Sequence, residues 1–226
     1  MGILIAIDGV DSSGKETQTK LLYDRLLQER DKVRMISFPA YDKPSSSLVK
    51  MYLDGSFGAN PEDVNAYVAS AFFAMDRFAT FRTDWGKDYN SDSIILADRY
   101  VTSNMIHQAS KLEDMSEKEK CLDWVYDFEY NICGLPKPDI TIFLDMPVIW
   151  ATKLMEERAN KFDGTQVKDI HERNHNYLQK SYENAVFAAE KYNWKRIICA
   201  TDKGIKTQKE IHEEIYRAVC GIIGEA

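Results

Sequence analysis

The chain is poor in cysteine: Cys121, Cys133, Cys199 and Cys220 are all there is, with no C-x-x-C pair and no metal-ligand spacing. They sit inside apolar patterns and read as reduced core residues. No run approaches the roughly eighteen apolar residues that a membrane span requires. No basic region followed by a long apolar segment opens the chain, so the expectation is a cytoplasmic protein with no membrane partner. Positive charge is also short. Twenty-nine Lys and Arg stand against 36 Asp and Glu, a net charge of −7, which argues against wholesale binding to nucleic acid. Internal repeats, low-complexity tracts and long linkers are missing too. What remains is a chain of 226 residues, 44% of them hydrophobic, long enough to bury a sizeable core and read as a single domain over 1–226.

The most informative stretch is residues 3–19, ILIAIDGVDSSGKETQT. Its apolar first half reads as a strand buried on both faces. Gly9, Gly14 and Lys15 then fall at the spacing of a phosphate-binding loop, G-x-x-x-x-G-K, with a helix predicted over 18–29. Glycines let the backbone curl until consecutive N–H groups converge on one anion, and the following helix aims its positive end at the same place. Lys15 adds a mobile cation. The next position normally carries a Ser or Thr hydroxyl for Mg²⁺; here it is Glu16, with Thr17 following. That carboxylate could repel nucleotide phosphates or could itself hold the metal, and both readings stay open.

Along the chain, strands are predicted at 32–38, 93–97, 139–144 and 196–200. Helices are expected over 44–53, 62–81, 103–111, 117–131, 148–159, 170–192 and 206–223, with a charged loop at 160–169. Strands alternate with helices, which predicts a parallel sheet with helices on both faces and a ligand at the carboxyl ends of the strands. On the helix at 62–81, Val64, Tyr67, Val68, Ala71, Phe72, Met75 and Ala79 share one broad face, which is core or subunit interface.

The strand ends carry polar residues: Asp8-Gly9, then Phe38-Pro39-Ala40-Tyr41, then Asp98-Arg99-Tyr100, then Asp145. Adjacent acid and base, as in Asp98-Arg99, can divide phosphoryl transfer between them: the carboxylate orients Mg²⁺ or its waters and the guanidinium forks onto phosphate oxygens. Phe73 and Arg77, one helical turn apart and beside Ser70, suit a nucleobase pocket, the ring stacking and the guanidinium bonding the base edge.

GVDSSGKETQ, FPAY, FFAMDR, DRYVTSN and KPDITIFLDMP, in this order and spacing, resemble thymidylate kinase, a P-loop nucleoside monophosphate kinase family that phosphorylates dTMP with ATP. The resemblance runs from about Ile3 to the carboxyl terminus and rests on the joint occurrence of Asp11, FPxY and DRY. It implies an α/β, three-layer P-loop kinase fold: a five-stranded parallel sheet flanked by helices on both faces, with a lid at about 156–170. It implies that Gly9, Asp11, Ser12, Ser13, Gly14, Lys15, Glu16 and Thr17 line the ATP site, with Asp98 and Glu16 near Mg²⁺. Asp11 would bond the sugar 3′-hydroxyl of dTMP or orient a phosphate-binding arginine. Tyr41 and Arg99 would hold the dTMP phosphate, Phe73 would stack on thymine, Arg77 with Asn104 would bond its polar edge, and Phe38 and Ser103 would line the same site. The broad helical face would form a homodimer interface.

Such enzymes supply a catalytic arginine from the loop or from the lid. Position 12 is the uncharged Ser12, so the resemblance points to the lid, where Arg158 fits better than Lys161 or Lys168, and Asp169 and Glu172 match a D-x-x-E closure motif. His107 stands where the family often has a tyrosine that crowds the ribose 2′ position, and His171 where an aromatic is sometimes found. A kinase with another acceptor, and a nucleotide-holding protein without turnover, are the competing readings. Tyr41 and Arg99 favour an acceptor that already carries phosphate.

Overall fold

The computed structural model describes residues 1–161 and 175–224, without the side chains of 158–161 and 175. Strands β1 (Ile3–Asp8), β2 (Val33–Ser37), β3 (Ile94–Asp98), β4 (Ile140–Asp145) and β5 (Lys195–Ile198) form one sheet. The order is β2-β3-β1-β4-β5 and every neighbouring pair is parallel. Each strand lies within a residue or two of its predicted span. The last ends early because Ala200–Thr201 turns into a short antiparallel hairpin with Gly204–Ile205.

The helices are α1 (Lys15–Glu29), α2 (Ser47–Leu53), α3 (Ala66–Thr80), α4 (Gly86–Tyr89), α5 (Val101–His107), α6 (Met115–Tyr126), α7 (Val148–Lys161), α8 (His175–Lys191) and α9 (Gln208–Ile223). The central position of β1 explains its unbroken apolar run: Leu4, Ile5, Ala6 and Ile7 have no exposed surface. Side chains alternate across a strand, and the two faces separate cleanly. Leu4 and Ala6 pack with Val101, Met105, Leu122 and Ala188, while Ile5 and Ile7 pack with Leu22, Leu26, Ile211 and Ile215. Hence α1 and α9 cover one face, and α5, α6 and α8 the other. Among the described residues no helix is long and apolar enough to cross a membrane. All four cysteines are free; Cys121 and Cys199 are buried, Cys133 and Cys220 half-buried.

Three helical predictions change. The span expected from 62 opens as a short turn at Pro61–Asp63, and α3 begins only after Asn65, whose side chain accepts from Val68 N at 2.9 Å. Asparagine is among the preferred helix caps. The spans expected to run unbroken to 81 and 131 instead widen into π turns, at Phe81–Trp85 and Asp127–Ile132. The part of the predicted 170–192 helix before 175 lies outside the described residues. On α3 the core side consists of Ala66, Ala69, Ser70, Ala74, Arg77 and Thr80. The broad apolar face is turned the other way, with Val68 and Met75 exposed at 43% and 41%.

These layers set a contrast measurable by chemical denaturation. Ile5→Ala empties space in a closed face and should lower the unfolding free energy by about 2–5 kcal/mol. Met35→Ala, on edge strand β2 and 41% exposed, should cost under about 1 kcal/mol. Similar losses for both would contradict the assignment of β1 to the sheet centre.

Candidate active site

In the sheet register Ile7 lies opposite Asp98, so the loop after β1 and the turn after β3 emerge side by side. The chain leaves β1 toward β2 and leaves β3 toward β4, in opposite directions across the sheet. A crevice opens where such connections diverge.

Within the loop Ser12 and Gly14 have φ of 59° and 90°, both left-handed. Gly9 admits no side chain, since a Cβ there would lie 2.7 Å from Ser13 Oγ and 2.9 Å from the Leu144 carbonyl. Helix α1 starts directly after Gly14 with no side-chain cap, whereas α3, α6 and α9 are capped by Asn65, Asp114 and Thr207. Its first N–H groups are thus left for an anion. Lys15 is 6% exposed and folds back onto the loop, its Nζ donating to the carbonyls of Gly9 (2.9 Å) and Val10 (2.6 Å). Burial, reinforced by Arg99, pushes its pKa down to about 8 against the pull of Asp11, Asp8 and Asp98. Ser12, Gly14, Lys15, Glu16, Thr17, Asp98 and Arg99 line this pocket. Glu16 is exposed at its rim. Burial raises the Asp98 carboxyl, with Arg99 and Lys15 opposing, and Asp98 Oδ1 is buried with no hydrogen-bond partner among the described residues.

Arg99 also lines a second cleft. Its backbone is left-handed (φ 67°) and its N–H donates to Ile7 O at 3.1 Å. Nη2 donates to Asp11 Oδ1 at 2.5 Å, and Nη1 lies 3.3 Å from His107 Nε2. Burial alone would raise the Asp11 carboxyl; Arg99, His107 and Lys15 overcome it and hold the group well below the usual carboxylate range. Burial lowers His107 to about 4 despite Asp11, and the ring stacks on Tyr177 at 6.2 Å and 16°. His107 is therefore a neutral, buried cleft residue rather than a surface histidine.

The cleft brings together Asp11, Phe38, Tyr41, Phe73, Arg77, Arg99, Ser103, Asn104 and His107, every residue predicted for the acceptor, and adds Pro39, Leu53 and Gln108. Tyr41 stands at the mouth, 53% exposed. Phe73 meets Tyr52 edge-on at 6.1 Å and 86°. The Ser103 hydroxyl is donated to Asp8 (2.8 Å), as is that of Thr102 (2.7 Å), so its contact ties α5 to the end of β1. Arg77 is 1% exposed and points into the protein. Its Nε and Nη2 donate to Glu129 Oε2 and Oε1 at 2.6 and 2.7 Å. Asp145 faces away from the cleft, accepting from Tyr182 (2.9 Å) and Arg196 (2.6 Å). Of the lid expected at about 156–170, Arg158 and Lys161 lie on the last turn of α7 with their side chains outside the described residues, and Lys168, Asp169, His171 and Glu172 lie outside them altogether.

Sequence reasoning assigned no role to three carboxylates, of which only Asp8 was noted, as a strand end. Asp8, the last residue of β1, holds Thr102, Ser103 and the Gly9 N–H. Asp76 accepts from Ala40 N (2.8 Å) and Ser45 Oγ (2.5 Å), fixing the loop that carries Tyr41. Its place beside Arg77 in FFAMDR was the available signal. Glu129 gave none, since it lies in a π turn that helical periodicity does not register.

A parallel β2-β3-β1-β4-β5 sheet with a lysine-bearing anion loop at the end of β1 defines a P-loop nucleotide-binding protein with an acceptor cleft alongside. A model of the family described as Thymidylate kinase matches residues 7–215. Thymidylate kinase of Mycobacterium tuberculosis (strain CDC 1551 / Oshkosh) is 32% identical over 187 residues, 82% of this chain and 84% of that one. The Schizosaccharomyces pombe thymidylate kinase is 32% identical over 184 residues, covering 80% and 79%. The crystal structure of thymidylate kinase from Ehrlichia chaffeensis superposes with a TM-score of 0.65 at 19% identity, over 96% of this chain and 98% of that one, and so shares the fold. This chain belongs to the thymidylate kinase family.

His107 yields a pH prediction. It binds its proton near 6.5 when unfolded and near 4 when folded. Between those values only the unfolded chain takes up the proton, so the stability the group contributes is full above pH 6.5 and is lost as pH falls to about 4. The slope is about 1.4 kcal/mol per pH unit. Urea denaturation of wild type and His107→Gln at neutral and mildly acid pH should show the smaller acid loss in the variant. Equal losses would mean that His107 charges freely in the folded protein.

Proposed function

We infer that this chain transfers the γ-phosphate of ATP to dTMP, giving dTDP and ADP toward dTTP. The observation that carries the reading is Arg99: held by Asp11, it lines both the anion loop and the cleft whose inner end presents Phe73, Arg77 and Asn104. A phosphate gripped there by Arg99 and Tyr41 would lie beside the loop that holds the donor phosphates, the arrangement that in-line transfer requires. Lys15 would exchange the Gly9 and Val10 carbonyls for phosphate oxygens, which favour its charged form. Phe73 offers a face for the base. His107 and Gln108 wall the cleft where α5 ends.

Asp98 and Glu16 would hold Mg²⁺. A buried carboxylate oxygen without a partner, beside an anion loop, suits a hard cation that takes few protein ligands and completes its shell with phosphate and water. When bound, the ion neutralises charge on the transferring phosphates. Arg158 is proposed as the lid cation. The exposed α3 face, with Val68, Met75 and Phe78 at 43%, 41% and 37%, supports pairing of two copies.

A coupled ADP-release assay with ATP, Mg²⁺ and dTMP, dUMP, ribose TMP, dCMP, dGMP or thymidine tests the reading. Turnover with dTMP should exceed the rest by at least about tenfold. ATP binding without any turnover would overturn it in favour of a nucleotide-holding protein. Arg158→Ala should lower kcat with little change in either KM, as expected for a contact made in the transition state. An unaltered kcat would move the catalytic cation elsewhere.

A further inference from the structure

Both polar groups at the inner end of the cleft converge on one side chain that does not line it. Glu129 has no exposed surface. It sits in the π turn Asp127–Ile132, closed by Cys133 N donating to Phe128 O at 2.8 Å. The extra residue in such a turn rotates the following positions around the helix, and here that carries a carboxylate into the interior. Its Oε2 accepts from Arg77 Nε, and its Oε1 accepts from both Arg77 Nη2 (2.7 Å) and Asn104 Nδ2 (2.7 Å).

The consequence is chemical polarity. Asn104 gives its second amide hydrogen to Ser70 O at 3.0 Å, so both are committed to acceptors and only Oδ1 remains to be offered. Arg77 commits Nε and one Nη2 hydrogen to Glu129, and Nη1 has no hydrogen bond among the described residues. The pair therefore presents an acceptor at Asn104 and donors at Arg77. A 4-oxopyrimidine offers the complement, a donating N3–H beside an accepting O4. A 4-aminopyrimidine offers the reverse, an accepting N3 beside a donating amino group, and would set acceptor against acceptor at Asn104.

We propose that Glu129 is a positioning residue that fixes the donor and acceptor pattern of Arg77 and Asn104 and thereby selects 4-oxo over 4-amino pyrimidine nucleotides without touching the nucleotide. The proposal rests on the acceptor reading given above. Without this carboxylate the Asn104 amide gains a second stable orientation, and Arg77 loses the fork that sets its plane.

The test compares wild type with Glu129→Gln, nearly the same in shape but uncharged and able to accept at a single oxygen. KM and kcat are measured for dTMP, dCMP and ATP, with thermal melting as a check on folding. In Glu129→Gln the ratio of kcat/KM for dTMP over dCMP should fall at least about tenfold. The change should come through a raised KM for dTMP and a lowered KM for dCMP, with KM for ATP unmoved. Glu129→Asp keeps the charge and should retain more of the discrimination; if Glu129→Gln fails to fold, the fall in this ratio in Glu129→Asp carries the test. An unchanged ratio in a folded variant overturns the proposal, as does an equal loss for both acceptors, which marks a merely structural role. Wild type that prefers dCMP, or turns over neither acceptor, overturns the acceptor reading as well, so the two failures are told apart by the wild-type arm.

Discussion

Arg99 leaves β3 in a left-handed turn and reaches Asp11 across the mouth of the crevice, tying the loop after β1 to the turn after β3. The parallel register brings these two segments together, and the ion pair fixes their relative orientation. Everything on the acceptor side is referred to that bridge. His107 leans on the far side of the guanidinium, and Asp8, beneath the loop, anchors the start of α5 through Thr102 and Ser103.

A protein of net charge −7 that handles polyanions concentrates cations by giving each a nearby acid or carbonyl. Lys15, Asp11 and Asp8 are 6%, 8% and 0% exposed, and none is left alone. Within the loop the ammonium is held by two of its own carbonyls.

How much of this was legible depended on whether the information was local. The strand, loop and helix over 3–29 follow from adjacent residues: an apolar run for a strand flanked on both sides, glycines for φ, a lysine for charge. Asp98-Arg99 and FPAY were readable as strand ends because parallel sheets put ligands there. Phe73 and Arg77 were found by spacing. Helical periodicity marks an apolar face without saying which way it points, and on α3 the core side is made of alanine, serine, threonine and a buried arginine. Glu129 was hidden because its position depends on one extra residue in a helical turn, and its partners lie 25 and 52 positions away. Asp145 looked like a cleft residue by the same strand-end logic, until Arg196 and Tyr182 claimed it from β5 and α8.

Ser12 and Arg99 share left-handed backbone, at φ 59° and 67°, although neither is glycine. For an ordinary residue that geometry costs on the order of 1–2 kcal/mol. Their evolutionary prospects differ. The Ser12 side chain makes no hydrogen bond among the described residues, so glycine there relaxes the backbone and forfeits nothing visible, and drift in that direction is open. Glycine at 99 would relax the backbone equally and dissolve the bridge to Asp11. The left-handed turn at 99 is thus inseparable from the bridge to Asp11, while that at 12 carries no such bond.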